Sequence, residues 1–170
     1  FNHIGTYILD SATTWAEALM NWRRASEGIA GQAPRFTKDY TPQKIEIQNH
    51  LREILNLPCD FILTAHLDRS TVTEGEGSTI ELRFMTTGKG AVIIPLKFDE
   101  IWVMVPKDTS GGLEYRILTN SVGKYLARSR LSKAGLLSQY EKPNMKDILK
   151  KAGRDYSDKP LLLRKEVKNA

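Results

Sequence analysis

The chain reads as an α/β fold: a partial parallel-sheet core, an antiparallel β-hairpin extension and a short terminal helix. Three observations carry this reading. Apolar runs at residues 6–9 and 61–65 are separated by two stretches of helical periodicity, the signature of a crossover between parallel strands. After residue 78 the pattern changes to short apolar runs joined by Gly-rich or Asp/Gly turns. The segment from Met145 to Ala152 then has the composition of a short helix. We place the core with its hairpins at residues 1–142 and a basic helix and tail at 143–170.

Thr6-Tyr7-Ile8-Leu9 does not alternate, which predicts a strand buried on both faces. Trp15, Ala18, Leu19 and Trp22 follow at helical spacing, with Ser11 or Thr13 as N-cap. Gly28, Gly31, Pro34 and Pro42 mark a polar, irregular connection. Ile47, Leu51, Ile54 and Leu55 form one face of a second amphipathic helix, ended by Asn56-Leu57-Pro58. Phe61, Ile62, Leu63 and Ala65 make the second buried strand. Between Asp68 and Ser78 the chain is polar and holds Glu74-Gly-Glu-Gly, which predicts a mobile loop. STIELRF, AVIIPLKF, EIWVMVP and LEYRILT read as four short strands, turning at Gly88-Lys89-Gly90 and at Asp108 to Gly112.

A chain of 170 residues suits one domain with a substantial core, and 41% apolar with 26% charged residues excludes a disordered or fibrous class. No apolar run approaches the roughly 20 residues that span a bilayer, so no membrane partner is expected. Cys59 is the single cysteine and cannot form an internal disulfide, which suits a reducing cytosol. The net charge of +5 is concentrated after residue 123, which points to a polyanionic partner.

In open α/β sheets, ligands bind beyond the carboxyl ends of the strands. The first strand runs into Asp10-Ser11. An apolar strand ending in an aspartate and a hydroxyl has the form of a Walker B segment, whose carboxylate holds, through water, the magnesium ion on nucleotide phosphates. The same two residues also serve as helix N-caps. The second strand ends in Thr64-Ala65-His66, where a polar side chain can hydrogen-bond a phosphate or a catalytic water.

YILDSATTW, LNLPCDFILTAHLDR, GKGAVIIPLKFDEIWVMV, YRILTNSVGKYLARSR and MKDILKKAG, in that order, resemble the later part of RecA-like P-loop ATPases encoded by bacteriophages. The resemblance implies a partial RecA-like core that binds and hydrolyses ATP with Mg2+ in phage DNA recombination or replication, in the host cytoplasm. Implied partners are single-stranded DNA, a single-strand DNA-binding protein and further copies of the chain. It makes Asp10 the magnesium-orienting residue, supported by Ser11, and His66 with Thr64 the γ-phosphate sensor. Lys89 or Arg128 would reach a neighbouring subunit's nucleotide as a transition-state cation. Arg69 would open a DNA-contacting loop, although Asp68, Glu74 and Glu76 make that segment acidic. The family's G-x-x-x-x-G-K-[ST] phosphate loop does not occur in these 170 residues. We therefore expect the chain to be the C-terminal portion of a longer ATPase and to bind ATP poorly by itself.

A different class competes with this one. The basic C-terminal segment, with Lys146, Lys150 and Lys151, could bind single-stranded nucleic acid while the α/β core serves as a scaffold without ATPase activity.

Overall fold

The computed structural model describes residues 5–74, 77–86 and 90–157. These fall into two compact units, the first ending at Ala65 and the second running from His66 to Ser157.

The first unit is a strand–helix–helix–strand crossover. Strand β1 (Thr6–Leu9) leads to helix α1 (Ala12–Ser26), a π-helical turn at Phe36–Tyr40, helix α2 (Thr41–Leu55) and strand β2 (Asp60–Leu63). β1 and β2 pair in parallel, with Thr6 opposite Asp60 and Leu9 opposite Leu63. Ser11 is the N-cap of α1, Arg23 and Arg24 occupy its last turn, and Gly28 follows at φ +72°, a left-handed conformation that glycine adopts without strain. Pro42 sits in the first turn of α2, where its missing N–H costs nothing.

Ala12, Ala16 and Met20 of α1 and Ile47 and Leu51 of α2 are buried, and the Trp15 ring of α1 lies 5.7 Å from the His50 ring of α2. Leu51 is fully buried, a contribution of about 1.5–3 kcal/mol from the transfer of its side chain alone. The Gln43 side-chain amide donates to the Ala16 carbonyl and ties the helices together.

The buried stripe of α1 differs from the predicted one. Ala18 and Trp22 are exposed, Trp22 at 68%, because the inward face runs through 12, 16 and 20. Nor is β1 covered on both sides, since Ile8 is 60% exposed. Among the described residues the expected parallel core amounts to one two-stranded sheet, and the other sheets are antiparallel.

The second unit begins with strands β3 (Leu67–Glu74) and β4 (Gly77–Phe84), an antiparallel ladder with Leu67 opposite Phe84. The predicted loop over 68–78 is thus mostly strand. Its β-branched Thr71 and Val72 favour the extended form, and ladder pairing satisfies a backbone that looked loop-like from side-chain polarity. AVIIPLKF is not a strand either: it forms a helical turn, α3 (Gly90–Ile93), and a 3₁₀ turn at Pro95–Lys97. Pro95 cannot donate to a ladder but fits the start of a helical turn. The turn proposed at residues 88–90 lies outside the described residues except for Gly90.

Strand β5 (Glu100–Ile101) is followed by β6 (Val103–Thr109) and β7 (Gly112–Leu118), which pair across a tight turn at Ser110-Gly111. Strand β8 (Arg128–Ser129) pairs with β5, helix α4 (Arg130–Lys133) follows, and strand β9 (Tyr140–Glu141) adds to β7. Helix α5 (Met145–Lys151) matches the expected terminal helix to within a residue.

Alternation along β7 serves two cores. Leu118 joins Val103, Val105 and Ala127 on one face, while Ile117 joins Leu137 and Ile148 on the other. Ile148 therefore makes α5 part of the packed unit.

Candidate functional site

Three of the residues singled out in the sequence meet at the carboxyl ends of β1 and β2. Thr64 continues β2 by donating its amide to the Leu9 carbonyl at 3.1 Å, and its own carbonyl accepts the Ala12 amide at 2.8 Å. This backbone zipper brings Thr64 alongside Asp10. The Thr64 hydroxyl donates to Asp10 Oδ1 at 2.5 Å, so one carboxylate oxygen is held while the side chain stays exposed to solvent. The Asp10–Ser11 peptide bond is cis.

Ser11 is buried and occupied by the helix. Its Oγ accepts the Thr14 amide at 3.3 Å, and its amide donates to Thr14 Oγ1 at 3.3 Å, a reciprocal capping box. Ser11 thus fixes the start of α1 and the direction in which Asp10 leaves the strand.

His66 begins the second unit, where its carbonyl accepts the Met85 amide at 2.8 Å. Lys89 lies outside the described residues. Arg128 donates through Nη2 to the carbonyls of Pro95 at 3.2 Å and Phe98 at 2.9 Å, bracing the 3₁₀ turn. Arg69 is exposed on β3, opposite Leu82, in a strand where the sequence suggested a loop. Of the three lysines on α5, Lys151 is bonded to the buried Glu141 at 2.5 Å and Lys150 lies over the Tyr156 ring at 6.0 Å, while Lys146 is exposed in the first turn. Burial of Glu141 pushes its carboxyl upward, but the Lys151 ammonium and the Ser138 amide outweigh that and hold it below the usual value.

One polar cluster escaped the sequence reading. Asp39, in the π-helical turn, is fully buried and accepts from the Arg35 amide at 2.7 Å, from Nε at 3.1 Å and from Nη2 at 2.7 Å. The Arg35 side-chain bonds hold the Asp39 carboxyl down at about 2, and the Asp39 and Glu27 partners push the guanidinium upward. Glu27 also accepts from Arg35 and lies 3.3 Å from Arg23. The i, i+4 spacing of Arg35 and Asp39 was visible, but nothing local marked Asp39 as buried. This network pins the connection between the helices.

Among the described residues no group of three or more His, Cys, Asp or Glu side chains gathers as a metal cage, and no helix is long and apolar enough to cross a membrane. Fold and site together define a mixed α/β protein that carries a carboxylate–hydroxyl pair at the end of a parallel strand pair. No family model, curated protein or solved structure matches the chain.

Proposed function

We propose that the first unit is the metal-orienting part of a RecA-like nucleotide-hydrolysing protein, acting in phage DNA recombination or replication. The observation that carries this reading is the bond between Asp10 and Thr64 at the carboxyl ends of adjacent parallel strands. Strand ends of this kind are where α/β sheets receive phosphates. The donor set fits a magnesium ion held through water, because Mg2+ keeps most of its hydration shell and needs one hard carboxylate rather than a cage. Such an ion would neutralise charge on the β- and γ-phosphates of ATP.

In this reading the free lone pairs of Asp10 accept from metal-bound water, and the Thr64 hydroxyl fixes the carboxylate rotamer. Thr64 also takes the sensing part, since its hydroxyl can exchange Asp10 for a phosphate oxygen, while its amide and carbonyl remain tied to Leu9 and Ala12. Ser11 contributes by holding the helix start rather than by touching the nucleotide.

The test is magnesium-dependent ATP turnover by the full-length protein. Asp10→Ala should reduce turnover by about a hundredfold or more and Thr64→Val by about tenfold. Turnover at the wild-type rate in both variants would refute the proposal.

The second reading, nucleic-acid binding through α5, is favoured by the exposure of Lys146 and Lys150. Removing residues 142–170 would test it poorly, since Ile148 belongs to the core. Lys146→Gln with Lys150→Gln removes two exposed charges and leaves the buried Ile148 in place. Unchanged affinity for single-stranded DNA in that double variant would count against the reading.

A further inference from the structure

The second unit contains a groove of about 570 Å3 against the β6–β7–β9 sheet. Three cations, Lys107, Arg116 and Lys124, line it together with Tyr125 and Tyr140, above a floor that includes the buried Leu118. The register explains the grouping. Arg116 pairs with Val105 across the β6–β7 ladder, Leu118 pairs with Tyr140 across β7–β9, and period-two alternation puts Lys107, Arg116, Leu118 and Tyr140 on one face.

The opposite wall is a two-residue turn. Val122 and Tyr125 exchange both backbone hydrogen bonds, at 3.2 and 3.0 Å, with Gly123 and Lys124 between them. Gly123 takes φ +53°, which a side chain would resist. The Lys124 carbonyl accepts the Leu82 amide at 2.7 Å, so the turn is anchored to β4 while its ammonium lies 5.6 Å from the Tyr125 ring.

Glu114, directly opposite Lys107 in the ladder and two residues from Arg116, shares this face and borders the groove without lining it, which leaves three cations against one neighbouring carboxylate. Among the described residues neither Lys107 nor Arg116 forms an ion pair.

We propose that this groove binds single-stranded nucleic acid, its phosphates meeting Lys107, Arg116 and Lys124 and a base stacking on Tyr140. The pairing of chemistries carries the assignment. Cations alone would take any polyanion, and tyrosines alone any apolar ring. Together, beside the buried Val105 and Leu118, they match the alternation of phosphate and base along an unpaired strand. Base stacking requires an accessible ring, and Tyr140 is 41% exposed. A duplex hides its base faces and would use only the cations.

The experiment is fluorescence anisotropy of a labelled oligothymidylate with the full chain, with inorganic polyphosphate, ATP and the matching duplex as competitors. Neither magnesium nor unlabelled triphosphate is present in the direct titration, so its outcome is separate from that of the Asp10 reading. Raising salt from 50 to 200 mM should weaken binding by roughly 10–20-fold, as expected for about three phosphate contacts on a single strand. Arg116→Gln and Lys124→Gln should each reduce the salt slope by about 0.7. Tyr140→Ala should lose about fivefold or more in affinity, and Tyr140→Phe should restore it. Lys124 and Tyr140 are exposed enough for substitution without unfolding, and far-ultraviolet circular dichroism checks the Arg116 variant. Wild-type affinity in Lys124→Gln and Tyr140→Ala overturns the proposal. So does competition by polyphosphate or duplex equal to that of the oligonucleotide, or saturation by ATP with no gain from strand length.

Discussion

Asp10 carries two demands that a single residue can meet: it leaves a strand, and it offers a carboxylate. The Thr64 bond constrains one oxygen and leaves the other to solvent. Ser11 is different, because its hydroxyl is spent on the helix. Ser11→Ala should therefore cost about 1 kcal/mol in stability through the lost cap, measured by urea unfolding, with far less effect on turnover than Asp10→Ala. Asp39 gives the clearest pH dependence. Its carboxyl is held at about 2 in the fold, below its ordinary value of 3.8, so the stabilisation is complete above about pH 4 and disappears as pH falls through 2. Asp39→Asn should lower the melting temperature by several degrees at neutral pH, and the gap from wild type should close between pH 4 and pH 2. A gap that is constant over that range would mean that the charge of Asp39 is not what Arg35 recognises.

At the scale of elements, periodicity succeeded where one burial face dominates. The α2 stripe follows from helical spacing at Ile47 and Leu51, although Leu55 of the same predicted face is exposed. Periodicity failed in part for α1, where Ala18 and Trp22 of the predicted face are exposed and Ala12, Ala16 and Met20 are buried, while Trp15 does lie against His50 of α2. In AVIIPLKF the apolar run looked strand-like and Pro95 carried the opposing signal. β3 was missed because polar side chains conceal a ladder whose stability comes from backbone pairing with β4. Packing of α5 gives a direct prediction. Ile148→Ala should destabilise the protein by about 3 kcal/mol in urea unfolding, although the helix is only seven residues long. A loss below about 1 kcal/mol would show that α5 is not integral to the second unit.

Across the whole chain, the +5 charge raises the expectation of a polyanionic partner but does not say where it would bind. Cations that look like one basic tail in the sequence are divided by the fold into different tasks: Arg128 braces carbonyls, Lys151 neutralises Glu141, and Lys124 borders a groove with Lys107 and Arg116 from earlier strands. The sequence by itself determined the strand–helix–helix–strand order, the helix start at Ser11 and the polar exit of β1 at Asp10, because each depends on neighbours within a few residues. Only the tertiary structure decided that Thr64 meets Asp10, that Asp39 is buried under Arg35, and that residues 107, 116, 124 and 140 share one face. Those contacts depend on strand register and burial, which are set by the whole chain minimising exposed apolar surface and unpaired backbone rather than by any local run of residues.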